Sequence, residues 1–204
     1  MSGLLLEGVA QGPLQGVDLH LPAGQVGWLQ GATGNGKSLL LYLAAGLILP
    51  ERGRVLLDGA APEPPRVAMA FQNPDYQLLA SRTDADVALN ARSPEGVERA
   101  LEAAGCLPFR DRPPELLTPG QRRRAALAGV LAAEPVLALL DTPFAGMGAA
   151  EAARLWTECR PLLADRGSVV LITGEPPGAA VNDAIWEVEQ WLRPTPDSAS
   201  TNFP

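Results

Sequence analysis

The sequence predicts an α/β fold built on a mainly parallel sheet, and three observations carry that expectation. Strand-like apolar runs alternate with helical patterns along the chain, as in βαβ units with right-handed crossovers. Val136–Leu140 is an uninterrupted apolar run, expected of a parallel strand buried on both faces. A glycine-rich stretch, Gly31–Ser38, falls between a strand-like segment and a helix-like one.

The elements follow in order. Leu4–Glu7, Val17–Leu21 and Val26–Gln30 read as short strands broken by Gly/Pro punctuation. Leu39–Leu47 is apolar all round and predicts a buried helix. Arg54–Leu57 and Val67–Phe71 are further short strands. Ser93-Pro94 supplies an N-cap with proline at the first helical position, Val97, Ala100, Leu101 and Ala104 form an apolar stripe, and Gly105 closes that helix. Another helix starts near Pro119 and runs to about Ala133. Glu151–Leu163 reads as a helix, Ser168–Ile172 as a buried strand, and Ala184–Val188 as a weaker strand. The stretch from Arg193 to Pro204 is rich in Pro, Ser and Thr and is expected to be a disordered tail. There is no internal repeat.

Composition narrows the function. The 204 residues suffice for one domain with a full core, and 47% hydrophobic content excludes disorder for the bulk. A net charge of −7 argues against nucleic-acid binding, which needs a basic face. Met1–Gly12 lacks the basic and apolar regions of a signal peptide. The longest apolar run, Leu39–Leu49, has 11 residues, against the roughly 20 that cross a bilayer. A membrane role is therefore expected to be peripheral. Cys106 and Cys159 have no metal-ligand spacing and are read as reduced thiols.

Gly31-Ala32-Thr33-Gly34-Asn35-Gly36-Lys37-Ser38 fits the phosphate-loop pattern G-x-x-x-x-G-K-[ST], with the required strand before it and helix after it. Its glycines let the backbone curl so that N–H groups point at a phosphate, and the following helix adds its positive end. Lys37 is expected to reach the β- and γ-phosphates and the Ser38 hydroxyl to ligate Mg²⁺. A dinucleotide fingerprint from Gly34 fails, because it needs glycine where Leu39 stands. Asp141, directly after the apolar run Val136–Leu140, is the expected acidic partner of the metal.

Further motifs stand in a telling order. Phe71-Gln72-Asn73-Pro74-Asp75-Tyr76-Gln77-Leu78 resembles the Q-loop of ABC ATPases, in the form found in cobalt/energy-coupling-factor uptake transporters. Leu117-Thr118-Pro119-Gly120-Gln121-Arg122-Arg123-Arg124 resembles their signature, usually LSGGQxxR, and Leu139–Gly148 resembles LLDEPxxGLD. The resemblance covers about Leu4 to Leu192 and implies a domain over 1–192. That domain would have a P-loop core, an N-terminal antiparallel β portion and an inserted helical subdomain at about 76–117. It implies ATP and Mg²⁺ sandwiched between two head-to-tail ATPase subunits, a transmembrane transporter subunit as partner, and a cytoplasmic place at the inner face of the membrane. By the same resemblance, Gln72 would contact Mg²⁺ and the attacking water. Thr118, Pro119, Gly120 and Gln121 would meet the partner's nucleotide. The residues agree with that role: Thr118 as N-cap, Pro119 at the first helical position and Gln121 three residues on make a capping box, and hence a presented helix N-terminus. Arg122–Arg124 oppose the dipole there, and face either nucleotide and partner or solvent.

The sequence departs from the family where hydrolysis happens. Thr142 stands at the catalytic glutamate, Gly174 at the switch histidine and Gly148 at the D-loop aspartate. A threonine cannot act as a general base, a contribution worth roughly 10²–10⁴ in rate. Glu175, beside Gly174, is a candidate substitute. Pro119 replaces the first signature glycine and has no N–H to donate. No aromatic residue precedes Trp28, so the family's adenine-stacking residue is missing. Three readings follow. The first is a transporter ATPase subunit with an impaired site beside a more complete partner, in a homo- or heterodimer. The second is a non-hydrolytic regulatory or structural nucleotide binder. The third, a P-loop small-molecule kinase, leaves the signature and Q-loop unexplained.

Overall fold

The computed structural model describes residues 2–178 and 182–192, so the expected tail from Arg193 lies outside the described residues. Strands β1 (Gly3–Gln11), β2 (Leu14–Pro22) and β4 (Arg52–Leu57) form an antiparallel sheet in the order β2-β1-β4. Strands β3 (Val26–Gln30), β5 (Val67–Ala70), β6 (Leu137–Asp141), β7 (Val169–Thr173) and β8 (Ala184–Glu187) form a parallel sheet in the order β5-β6-β7-β3-β8. The helices are α1 (Lys37–Ala44), α2 (Thr83–Ala88), α3 (Pro94–Ala103), α4 (Pro119–Ala133) and α5 (Ala149–Cys159). The predicted α/β class, with its antiparallel N-terminal sheet and a helical portion between β5 and β6, is what forms.

Period-two alternation divides the parallel sheet between two cores. Ala138, Leu140, Val170, Ile172 and Trp28 face a core completed by α3, α4 and α5. Leu137, Leu139, Leu171 and Leu29 face the other, closed by Leu40 and Leu41 of α1 and by Leu4 and Leu6 of β1. A strand buried on both faces has to be apolar at every position, which is why Val136–Leu140 was readable. Cys106 and Cys159 are buried free thiols whose pKa burial pushes up to about 12, so both stay protonated and inert.

Local differences from expectation have local causes. β1 and β2 run longer than the short strands predicted, because register shifts at Leu6/Val9 and Val9/Gln11 absorb the glycines as bulges. α1 stops at Ala44, three residues early: Gly46 N–H bonds to the Leu43 carbonyl and Leu47 N–H to that of Tyr42, a Schellman end. Leu47 is therefore 60% exposed rather than buried. α5 ends at Cys159, and a single 3-10 turn over Arg160–Leu162 follows, since Pro161 cannot donate an α-helical hydrogen bond. α2 was not foreseen. Its start is fixed from a distance, by Thr83 N–H and Oγ1 both donating to the Arg112 carbonyl.

Candidate functional site

The parallel register brings the carboxyl ends of the strands to one edge, where α/β sheets bind ligands. Gly31 follows β3, Asp141 ends β6, Gly174 follows β7 and Gln72 follows β5. Thr173 is paired with both Leu29 and Asp141, so the phosphate-loop strand and the acidic strand are held either side of β7.

Gly31–Gly36 curls between β3 and α1, with Gly36 as N-cap in the left-handed region (φ 89°), which glycine adopts without a Cβ penalty. No side chain caps α1, so the N–H groups of its first turn are offered to an external acceptor. Leu14, on the β1–β2 hairpin, packs where a Cβ at Gly36 would stand. Lys37 Nζ donates to the Gly31 and Ala32 carbonyls, each at 2.6 Å, which folds the ammonium over the loop. Ala32 N–H and the Asn35 amide donate to Glu189 from a distant part of the chain.

Asp141 is 2% exposed. Thr173 Oγ1 donates to its Oδ1 at 2.8 Å and accepts from Thr142 N–H at 2.8 Å. Asp141 Oδ2 and Thr142 Oγ1 are buried without partners. A buried carboxylate oxygen with no donor suits a cation, and Ser38 stands in the first turn of α1; the donor set is all oxygen, as Mg²⁺ prefers. Burial raises the Tyr42 pKa, and the Asp141 charge adds to that. Thr142 holds φ 48°, a strained conformation for a β-branched residue. Gln72 is exposed at its strand end. Glu175 Oε2 accepts from Gln30 Nε2 at 2.7 Å, so its carboxylate is tied to the end of β3.

Thr118–Gln121 open α4 with the predicted capping box: Gln121 N–H donates to Thr118 Oγ1 at 3.3 Å and Thr118 N–H to Gln121 Oε1 at 2.9 Å. Neither bond reaches the phosphate loop. The arginines after it are not a free basic face. Arg122 pairs with Asp75 at 2.9 Å, and Arg124 with Glu151 at 2.8 Å and the Ala104 carbonyl. Arg123 Nε is buried without a partner, with its guanidinium beside Gly146. Gln77 joins the Q-loop to the same helix, accepting from Phe71 N–H and donating to the Ala126 carbonyl. Sequence reasoning missed Thr173 and Glu189. A threonine ending a buried strand beside Asp141 was a usable signal for the first; the second had none.

A glycine loop between a parallel strand and an uncapped helix, with a buried aspartate two strands away, defines a P-loop nucleotide-binding domain. The ABC transporter family model matches residues 14–145, and the chain belongs to that family. It is 37% identical over 189 residues to the energy-coupling factor transporter ATP-binding protein EcfA1 of Symbiobacterium thermophilum, covering 84% of this chain and 66% of that protein. It is 34% identical over 159 residues to EcfA of Methanocaldococcus jannaschii, covering 70% and 57%. Among solved structures, cbiO1 from Clostridium perfringens, described as part of the transporter complex cbiONQ, superposes with a TM-score of 0.70 at 28% identity over 86% of this chain and 79% of that one. An ATP-binding cassette solved free of nucleotide superposes with a TM-score of 0.72 at 21% identity, over 92% and 88%, a likeness of fold. The chain spans 57–66% of the length of these two sequence relatives.

Proposed function

We propose that the chain is the ATP-binding subunit of a membrane transporter of the energy-coupling-factor type, with an impaired hydrolytic site of its own. The observation that carries this reading is the pairing of a phosphate loop leading into a helix without a side-chain cap with a threonine, Thr142, directly after the buried Asp141. Gly31–Ser38 keeps every element of the cradle, and Ser38, Gln72 and Asp141 would hold Mg²⁺, which neutralises charge on the β- and γ-phosphate oxygens. Lys37 swings from the two carbonyls to the phosphates. Thr142 Oγ1 is buried and unpartnered beside Asp141, and a threonine hydroxyl cannot take a proton from water as a carboxylate does. Glu175, the candidate substitute, accepts a hydrogen bond from Gln30, and Gly174 carries no side chain; loss of a general base costs roughly 10²–10⁴ in rate.

Turnover then falls to a second ATPase subunit, whose nucleotide is met by Thr118, Pro119, Gly120 and Gln121 of this chain. Pro119 removes one donor, while Gly120 keeps its N–H. The relatives' names support the transporter role. A groove of about 550 Å³ beside the Q-loop, between β5, α2 and α4, supports a transmembrane partner. Leu89 and the buried Asp86 line it, Asp86 Oδ2 lacks a partner, and Tyr76 and Leu79 next to it are exposed. No helix among the described residues is long and apolar enough to cross a membrane, which suits a peripheral place at the inner, cytoplasmic face. In this reading the domain is 1–192 with its helical subdomain at about 76–117.

Reconstitution with a complete ABC subunit tests it. Gly120→Asp in this chain should abolish turnover by the pair, whereas Lys37→Ala should chiefly weaken dimerisation. Turnover that survives Gly120→Asp favours the non-hydrolytic regulatory reading instead.

A further inference from the structure

A carboxylate already occupies donors of the phosphate loop. Glu189 Oε1 accepts from Ala32 N–H and from the Asn35 side-chain amide, each at 2.6 Å. Both donors lie within Gly31–Ser38, more than 150 residues away in sequence. The approach is intimate: Gly31 has φ 132° and no Cβ, and a Cβ there would run into the Glu189 carboxylate. Lys37 lies in the same field. The Ala32 N–H above all, then Glu189's own amide, the Asn35 amide and Lys37, hold the Glu189 carboxyl below the usual carboxylate range.

The contact is placed by the fold. Glu189 sits on a 3-10 turn, Val188–Trp191, whose Val188 and Trp191 are buried. Ahead of that turn β8 pairs with β3, Glu187 opposite Gln30, and behind it Leu192 bridges to Leu14. The turn is therefore fastened at both ends beside the loop. Its carboxylate is not needed to satisfy Ala32, which is exposed and open to water. What it adds is a full negative charge among donors that suit an anion.

We propose that Glu189 is a resident anion of the phosphate loop, an autoinhibitory contact that the phosphates of an incoming nucleotide must displace. The proposal rests on the reading of Gly31–Ser38 as the nucleotide site. A loop that spends part of its time closed on Glu189 shows an apparent affinity reduced by the fraction that is open. Nucleotide and the Glu189 contact exclude one another, so any movement of the Val188–Trp191 turn away from β3 raises affinity.

The test is a titration of the whole chain with a fluorescent ATP analogue, competed with inorganic pyrophosphate, for wild type, Glu189→Gln, Glu189→Ala and Lys37→Ala. Both Glu189 variants should bind ATP and pyrophosphate alike about fivefold more tightly, the scale of one exposed charge contact. Because Glu189 is exposed, both should melt as wild type does. Unchanged or weaker binding in Glu189→Ala, with Lys37→Ala still defective, overturns the proposal and makes Glu189 a brace. Tighter ATP with unchanged pyrophosphate overturns it too, since the contact would then lie against ribose or base. If Lys37→Ala binds as well as wild type, the nucleotide reading itself fails, an outcome distinct from the others.

Discussion

Two helices of this molecule begin at motifs that a nucleotide would recognise, and they begin in opposite ways. α1 starts from a left-handed glycine with no side-chain cap, so its first N–H groups are left for something outside the chain. α4 starts from Thr118 with a complete capping box, and Arg122 N–H already bonds to the Thr118 carbonyl. With Pro119 lacking a donor, only the Gly120 N–H stays uncommitted in that first turn. The first terminus has no side-chain cap at all; the second satisfies its own donors but for Gly120 N–H. Two threonines repeat the contrast. Thr118 is relaxed at φ −66° with its hydroxyl bonded, whereas Thr142 sits at φ 48° with its hydroxyl buried and unpartnered. At Thr142 and Asp141 a left-handed backbone and two buried, unpartnered oxygens coincide beside the phosphate loop, where a ligand's binding energy can offset them.

The largest expected effect is at the open terminus. Lys37→Ala should weaken Mg-ATP binding by about a hundredfold, from the loss of charge-assisted bonds worth roughly 1.5–3 kcal/mol each. Isothermal titration of the isolated chain measures it, and a loss under threefold would remove the distinction between the two helix starts. Next, Thr118→Ala should destabilise the fold by about 1 kcal/mol, lowering Tm by about 2–4 °C, while leaving ATP affinity of the isolated chain unchanged. A drop in that affinity would mean that α4 contributes to the nucleotide site of its own chain, against the comparison. The smallest effect is at the second threonine. Thr142→Gly should raise stability by up to about 1 kcal/mol, since glycine relieves the left-handed strain but adds unfolded-state entropy. Urea unfolding reads it; destabilisation instead would show that Thr142 is held by a contact its hydroxyl makes through water.

The motifs that could be read ahead of the fold are those whose physics is local. The loop Gly31–Ser38, the box Thr118/Gln121, the cap Ser93 bonding to Gly96 N–H at 3.0 Å and the strand Leu137–Asp141 each depend on residues a few positions apart. Where helix ends fall short of expectation the stop signal is local too: Gly46 ends α1 and Pro161 ends α5. The arginine run was ambiguous for another reason: whether Arg122 and Arg124 meet solvent or carboxylates depends on Asp75 and Glu151, 47 and 27 residues away.

The sequence by itself determined the fold class and the phosphate loop and singled out the candidate metal aspartate, because residue type and near-neighbour spacing carry those features; that Thr142 and Gly174 stand at hydrolytic positions is what the family resemblance implies. Only the tertiary structure decided that Thr173 clamps Asp141, that Gln30 engages Glu175 and that Glu189 closes on the loop. Those contacts join carboxyl ends of different strands, and which strands lie side by side follows from how the two cores bury their apolar faces, a property of the whole chain that no short stretch of it encodes.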